Sequence, residues 1–112
     1  MDNAIKKLLA DILNCVNKIE SFVGTNRTFI AYDTDLLLQD AVERNFITIG
    51  EAMNALLKKE PAIPISNARK VVDARNKLTH GYDEIDNQQI WNIIINYLPI
   101  LRSEVEALLN ED

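Results

Sequence analysis

The sequence predicts an all-α fold, an up-and-down bundle of four to five helices that makes a single domain over residues 1–112. Two observations carry this. Glycine and proline number only three each in 112 residues, while Leu, Ile, Ala, Asn, Lys and Glu are abundant, a composition for long helices and few tight turns. Apolar residues also recur at three- and four-residue intervals through most of the chain, which is the period of a helix with one buried face. With 47% hydrophobic and 26% charged residues, the chain fits one compact core. A domain this small buries a modest share of its surface, so added stability from self-association is expected.

From Asp2 to Val23 the residues Ile5, Leu8, Leu9, Ile12, Leu13, Val16, Ile19, Phe22 and Val23 keep helical spacing, and Gly24 ends the run. The stretch "GTNRTFIAYDTD" carries Gly, Thr, Asn and Asp in turn-forming numbers and reads as a connection, with Thr34 or Asp35 able to cap the next helix. That second long helix is expected from about Leu36 to Lys59, where Leu37, Leu38, Ala41, Val42, Phe46, Ile49, Ala52, Met53, Leu56 and Leu57 form a stripe wide enough for more than one neighbour. "EPAIPIS" breaks the pattern, since prolines remove backbone donors and push preceding residues to extended conformations. Ser66 is read as the cap of a third helix over about Asn67 to Thr79, with Gly81 just past its end. Asp86 then caps a fourth, whose stripe is Ile90, Ile93, Ile94, Tyr97, Leu98, Leu101, Val105 and Leu108, and which Pro99 should kink without ending.

The net charge of −5 excludes a general nucleic-acid-coating surface, because non-specific phosphate binding rests on clustered Lys and Arg. Any RNA contact has to be local. Lys58, Lys59, Arg69, Lys70, Arg75 and Lys77 lie mid-chain while the end "SEVEALLNED" is acidic, and solvated helix faces account for most of these lysines. No apolar run approaches the roughly 20 residues that span a bilayer, and "MDNAIKKLLADIL" alternates charge with apolar residues where a signal peptide needs a continuous apolar core, so a cytoplasmic location is expected. Cys15 is the single cysteine and falls among the apolar positions of the first helix, the place of an inert core thiol. Trp91 lies next to the Ile90 and Ile94 stripe and reads as a core or dimer-interface anchor more than a base-stacking platform.

On the third helix Ala68, Val71, Val72 and Leu78 share one sector, and Arg75 stands near its middle. Arginine is almost never buried unpaired. Either it meets a carboxylate inside the bundle, with Glu43 and Glu51 the candidates and Arg44 in the same neighbourhood, or the stripe opens there onto a cleft or subunit interface. His80, the only histidine, falls about 140° from Arg75 on the same wheel, so the two converge only if the helix ends between them or near His80. A guanidinium and an imidazole are a workable pair for phosphodiester cleavage. The fork grips two phosphate oxygens and stabilises the extra charge of a pentavalent transition state, and the imidazole moves a proton near neutral pH. For RNA the substrate's own 2′-hydroxyl is the nucleophile, so no metal or cofactor is required, and the chain has no Cys/His cluster, phosphate-cradling glycine loop or two-His metal spacing. One histidine cannot easily serve as both base and acid, whereas a symmetric dimer supplies two.

"RNKLTH" resembles the R-x-x-x-x-H motif of HEPN domains, with Asn76 as the polar residue after the arginine, and "HGY" extends it to the R-x-x-x-x-H-x-Y of the HepT-like branch. "QDAVERNFITIGEAMNALLKKEPAIP" is similar to the second-helix signature of that branch, and "VDARNKLTHGYDEIDNQQIWNIIINYLPILRSEVEALL" to its third and fourth helices, so the resemblance covers about residues 5 to 109. It implies a HEPN-like helical-bundle homodimer with a composite cleft, metal-independent endoribonuclease activity and the place of toxin beside an MNT-type nucleotidyltransferase antitoxin. Arg75 and His80 match the catalytic pair, Asn76 the supporting polar position, and Tyr82 the tyrosine that such antitoxins modify with AMP. A bulky anionic nucleotide there would repel and obstruct an RNA phosphate. Arg44 and Glu51 are candidates for a supporting role or for an ordinary ion pair. Where family members often carry a tryptophan after the proline turn and Gly-Met before the motif arginine, this chain has "PIS" and Asp73-Ala74, and Asp73 adds negative charge near a phosphate site. The acidic balance and Asp73 are what favour the alternative, a module that binds a nucleotide or docks a nucleotidyltransferase without cutting RNA.

Overall fold

The computed structural model describes residues 1–80 and 86–111. Gly81 and Tyr82 lie outside them. Among the described residues the chain is helical with no strand: α1 (Asn3–Val23), α2 (Phe29–Asp33), α3 (Leu36–Lys59), α4 (Ala68–His80), α5 (Asn87–Asn92), a π-helical segment (Ile93–Tyr97) and α6 (Leu98–Leu109). Each long helix has a local reason to start or stop. Asp2 accepts a hydrogen bond from Ala4 N, and Gly24, at φ 65°, takes the left-handed turn that ends α1. Asp35 accepts from Leu38 N at 3.0 Å, which makes it the cap of α3 rather than Thr34, and Lys58 and Lys59 sit in the last turn where cations favour the helix dipole. Asp86 and Gln89 form a reciprocal capping box on α5.

Leu9, Ile12, Val16 and Ile19 of α1 are fully buried in one core with Val42, Phe46, Ile49 and Met53 of α3 and Val105 of α6. α1 packs on α3 and α6, and α3 also packs on α4. The extents of 42 × 30 × 19 Å make the bundle only about two helix diameters thick. No helix among the described residues is long and apolar enough to cross a membrane.

Three expectations need correction, and a fourth is met by a route of its own. "GTNRTFIAYDTD" contains α2, one helical turn capped by Thr28, whose hydroxyl accepts from Ala31 N; five residues are too few to show a period. Ser66 does not cap α4. Its amide and hydroxyl both donate to the Glu104 carboxylate of α6, and Asn67, at φ 60°, precedes the helix instead. Phe22 and Leu37, counted in their helices' apolar stripes, are exposed. Pro99 leaves the long C-terminal helix unbroken, but through a local change of hydrogen bonding: Leu98 N donates to Ile93 O, five residues back, a π turn that widens the backbone just before the proline.

α2 explains Trp91. Tyr32 of α2 is fully buried, and its ring stacks on Trp91 at 5.6 Å between centroids, while Asn87 donates to Asp33 at 2.9 Å and ties the start of α5 to the end of α2. Trp91 is therefore a packing anchor. Replacing it with alanine should cost about 3 kcal/mol and lower the melting temperature by roughly 10 to 20 °C, read by calorimetry. A loss of RNA affinity with an unchanged melting temperature would contradict this assignment.

Candidate functional site

The site grows from the crossing of α3 and α4. α4 buries Ala68, Val71, Val72 and Ala74 against the core, and Arg75 comes next on the same side, its side chain 24% exposed. Room for it comes from Gly50, a buried glycine inside α3. A Cβ on Gly50 would stand 2.6 Å from Arg75 Cγ, closer still to Arg75 Cβ, and 3.4 Å from Val71 O. The missing side chain is what lets the aliphatic stem of Arg75 lie directly on the α3 backbone.

The stem carries the guanidinium to the rim of the crossing. There Arg75 Nη1 donates to Asn76 Oδ1 at 2.8 Å, and Nη2 lies 3.8 Å from Glu51 Oε2, one residue beyond Gly50. Glu51, not Glu43, is thus the carboxylate partner. The pair is loose, since 3.8 Å exceeds hydrogen-bond range and the Glu51 side chain is 57% exposed. Arg75 Nε is buried and has no hydrogen-bond partner among the described residues. An arginine has five N–H donors, so this one is held in place with most of its capacity unspent.

His80 is exposed in the last turn of α4. The helix runs unbroken through both residues, so His80 stands about 140° around and roughly 7.5 Å along the axis from Arg75. The helix does not turn back between them. The structure brings together Arg75, Asn76 and Glu51, and sets His80 on a different face of the same helix. Tyr82 lies outside the described residues. Arg44 shares with Glu51 a groove of about 530 Å³ along α3, lined also by Asp40, Glu43, Ile47 and Thr48. The Arg44 side chain makes no hydrogen bond or ion pair among the described residues. Burial, with the nearby Asp40 charge, pushes the Glu43 carboxyl above its usual range. Burial likewise raises the Cys15 thiol, in keeping with an inert core position. Among the described residues no three His, Cys, Asp or Glu side chains group closely enough to hold a metal ion.

An arginine seated on a helix crossing with an asparagine beside it and a histidine five residues on is the arrangement to compare with known proteins. The family model described as Ribonuclease HepT-like matches residues 12–108. This chain belongs to the HepT-like family. A Methanocaldococcus jannaschii protein provisionally named RNase MJ0127 is 32% identical over 96% of this chain and 88% of its own length. A Thermococcus cleftensis protein provisionally named ribonuclease HepT is 30% identical over 96% of this chain and 98% of its own. No solved structure matches. The comparisons therefore support ribonuclease activity for this HepT-like chain and the HEPN bundle as its fold.

Sequence reasoning did not single out Gly50. A signal was present, since a glycine inside a strongly periodic helix costs about 1 kcal/mol against alanine and commonly marks a close packing contact. Nor did it find that Lys70 pairs with Tyr97, whose hydroxyl accepts from the ammonium at 3.0 Å across 27 residues of sequence.

Proposed function

We propose that this HepT-like chain is a metal-independent endoribonuclease, the toxin of a type II HepT/MNT pair, which cuts RNA at a composite site in a symmetric homodimer. The observation that carries the reading is Arg75: a guanidinium seated by Gly50, steadied by Asn76, and only loosely neutralised by Glu51. A phosphate that displaces the exposed Glu51 carboxylate gains two parallel N–H donors aimed at its non-bridging oxygens. The RNA 2′-oxygen then attacks phosphorus and the 5′-oxygen leaves. Arg75 stabilises the added charge of the pentavalent state, one His80 takes the 2′ proton, and the other subunit's His80 protonates the leaving oxygen. Asn76 keeps the guanidinium aimed.

The dimer is supported by the two faces of α4, since one subunit's helix keeps its Arg75 and His80 apart. It is also supported by Ile30 of α2 and by Leu36 and Leu37 in the first turn of α3, apolar side chains that are 74%, 75% and 81% exposed. Arg44 and Glu51 are then supporting residues on the rim. The MNT-type antitoxin and AMP modification of Tyr82 rest on the R-x-x-x-x-H-x-Y resemblance, and on the repulsion that a nucleotide phosphate would exert on RNA.

The test is cleavage of end-labelled total cellular RNA by purified protein in excess EDTA, with the product ends and the intact mass of the protein determined. Expected are cleavage that survives chelation and products with cyclic or 3′ phosphates and 5′ hydroxyls. Ends bearing 5′ phosphates would overturn the mechanism. Absence of cleavage by folded, dimeric protein without AMP on Tyr82 would favour the binding module that the −5 charge and Asp73 suit better.

A further inference from the structure

We propose that the outward face of α4, with the groove between it and the α5–π segment, is a track for the backbone of single-stranded RNA on its way to the cleavage site. This deepens the ribonuclease reading and rests on it. The charge distribution points there first. α4 holds four of the chain's twelve basic residues and one of its seventeen acidic ones, a formal +3 that leaves −8 for everything else. A polyanion meets repulsion over most of this protein and attraction on this helix.

Within that face one lysine is already positioned. Lys70 Nζ donates to the Tyr97 hydroxyl at 3.0 Å and stands 4.7 Å from the centre of its ring. Holding the ammonium from the side limits its rotamers and leaves donors for a ligand, which lowers the entropy lost on binding. Lys77 lies on the same face two turns on. Both line a groove of about 230 Å³ with Asp73, Ala74, Gln89 and Ile93. Lys70, Lys77 and His80 stand at i, i+7 and i+10, within a sector of about 80°. The lysines are about 10 Å apart along the axis, too far to share one phosphate and suited to separate ones, with His80 next in line. A strand tracking along them is delivered to the end of α4 that carries His80, with Arg75 around the helix from it. In-line attack by the 2′-hydroxyl also requires a flexible, unpaired strand, which makes single-stranded RNA the occupant. Asp73, inside the groove, weakens the grip.

The experiment measures anisotropy of a fluorescein-labelled 2′-O-methyl RNA 12-mer, which cannot be cleaved, from 50 to 300 mM KCl. In parallel it measures cleavage of the unmodified 12-mer. Each phosphate contact to a single strand contributes a slope of about −0.7 in log K against log salt, so Lys70→Gln/Lys77→Gln should flatten the slope by about 1.4 and weaken binding roughly 25-fold at 100 mM salt. Asp73→Asn should tighten binding. Lys58→Gln/Lys59→Gln makes the same change in net charge at the end of α3 and should bind as wild type does. Unchanged affinity and slope in Lys70→Gln/Lys77→Gln would overturn the track and leave the face for an acidic protein surface. Equal weakening in Lys58→Gln/Lys59→Gln would overturn it as well, because the effect would then be net charge alone. Failure of wild type to bind the 12-mer sinks the track too. Binding through the groove with no cleavage of the unmodified 12-mer, by contrast, keeps the track and removes the ribonuclease reading.

Discussion

Arg75→Met is expected to abolish RNA cleavage, lowering kcat by roughly 10³-fold, while the protein stays folded. Methionine keeps the aliphatic stem that lies on Gly50, so the α3–α4 packing survives and the charge alone is removed. Arg75→Ala is the less informative variant, because it also opens a gap at the crossing. Arg75→Lys should rescue little. An ammonium cannot reproduce the planar fork, because its three N–H bonds diverge from a single nitrogen and do not present the two parallel donors of a bidentate phosphate contact. His80→Ala should fall by roughly 10² to 10⁴ in kcat, the usual size of a lost general acid or base. Glu51→Gln serves as the counterpart. It leaves Arg75 seated but removes the carboxylate that a phosphate must displace, so KM should fall while kcat changes little. Single-turnover cleavage of a defined oligonucleotide, with melting curves for each variant, checks all of these. If Arg75→Met cleaves within tenfold of wild type at an unaltered melting temperature, the guanidinium does not stabilise the transition state and the site assignment fails.

How much of this was legible beforehand depended on whether the deciding interaction was local. Periodicity set the four long helical runs, because a buried helix face writes its period directly into neighbouring residues. The place of Arg75 in an apolar sector was legible for the same reason, and so was its need for a carboxylate, since few residues on the second long helix could reach it. The choice of Glu51 over Glu43 was not, because it turns on where α4 crosses α3. α2 was invisible: one turn has no period, and its stability comes from Tyr32 stacking on Trp91, 59 residues away. The Ser66 assignment failed through a similar long-range partner, Glu104, which outcompetes the local cap. The site itself divides along this line. The short R-x-x-x-x-H stretch supplied the candidate residues, whereas the seat beneath Arg75 belongs to tertiary structure.

That seat makes the second large prediction. Alanine at Gly50 should gain up to about 1 kcal/mol of helix propensity, which on sequence grounds alone would make Gly50→Ala stabilising. The geometry reverses the sign. The added methyl would meet Arg75 Cγ at 2.6 Å and Arg75 Cβ closer still, and a Cβ is fixed to its backbone, so no rotamer change relieves the overlap. α4 has to move away from α3. Overpacking of this kind costs about 3 kcal/mol or more, for a net loss of about 2 kcal/mol and a melting temperature lower by roughly 10 °C. Displacing α4 also carries the guanidinium off its aim, and an error near 1 Å is enough to cost about 10² in rate. Cleavage by Gly50→Ala should therefore collapse even at temperatures where the protein remains folded. A double-mutant cycle with Arg75→Gly isolates the cause, since removing both offending carbons from α4 should recover most of the stability that Gly50→Ala loses. Stability that stays low in the double variant would locate the clash elsewhere, and a Gly50→Ala protein that melts higher than wild type would mean that the two helices do not cross this closely.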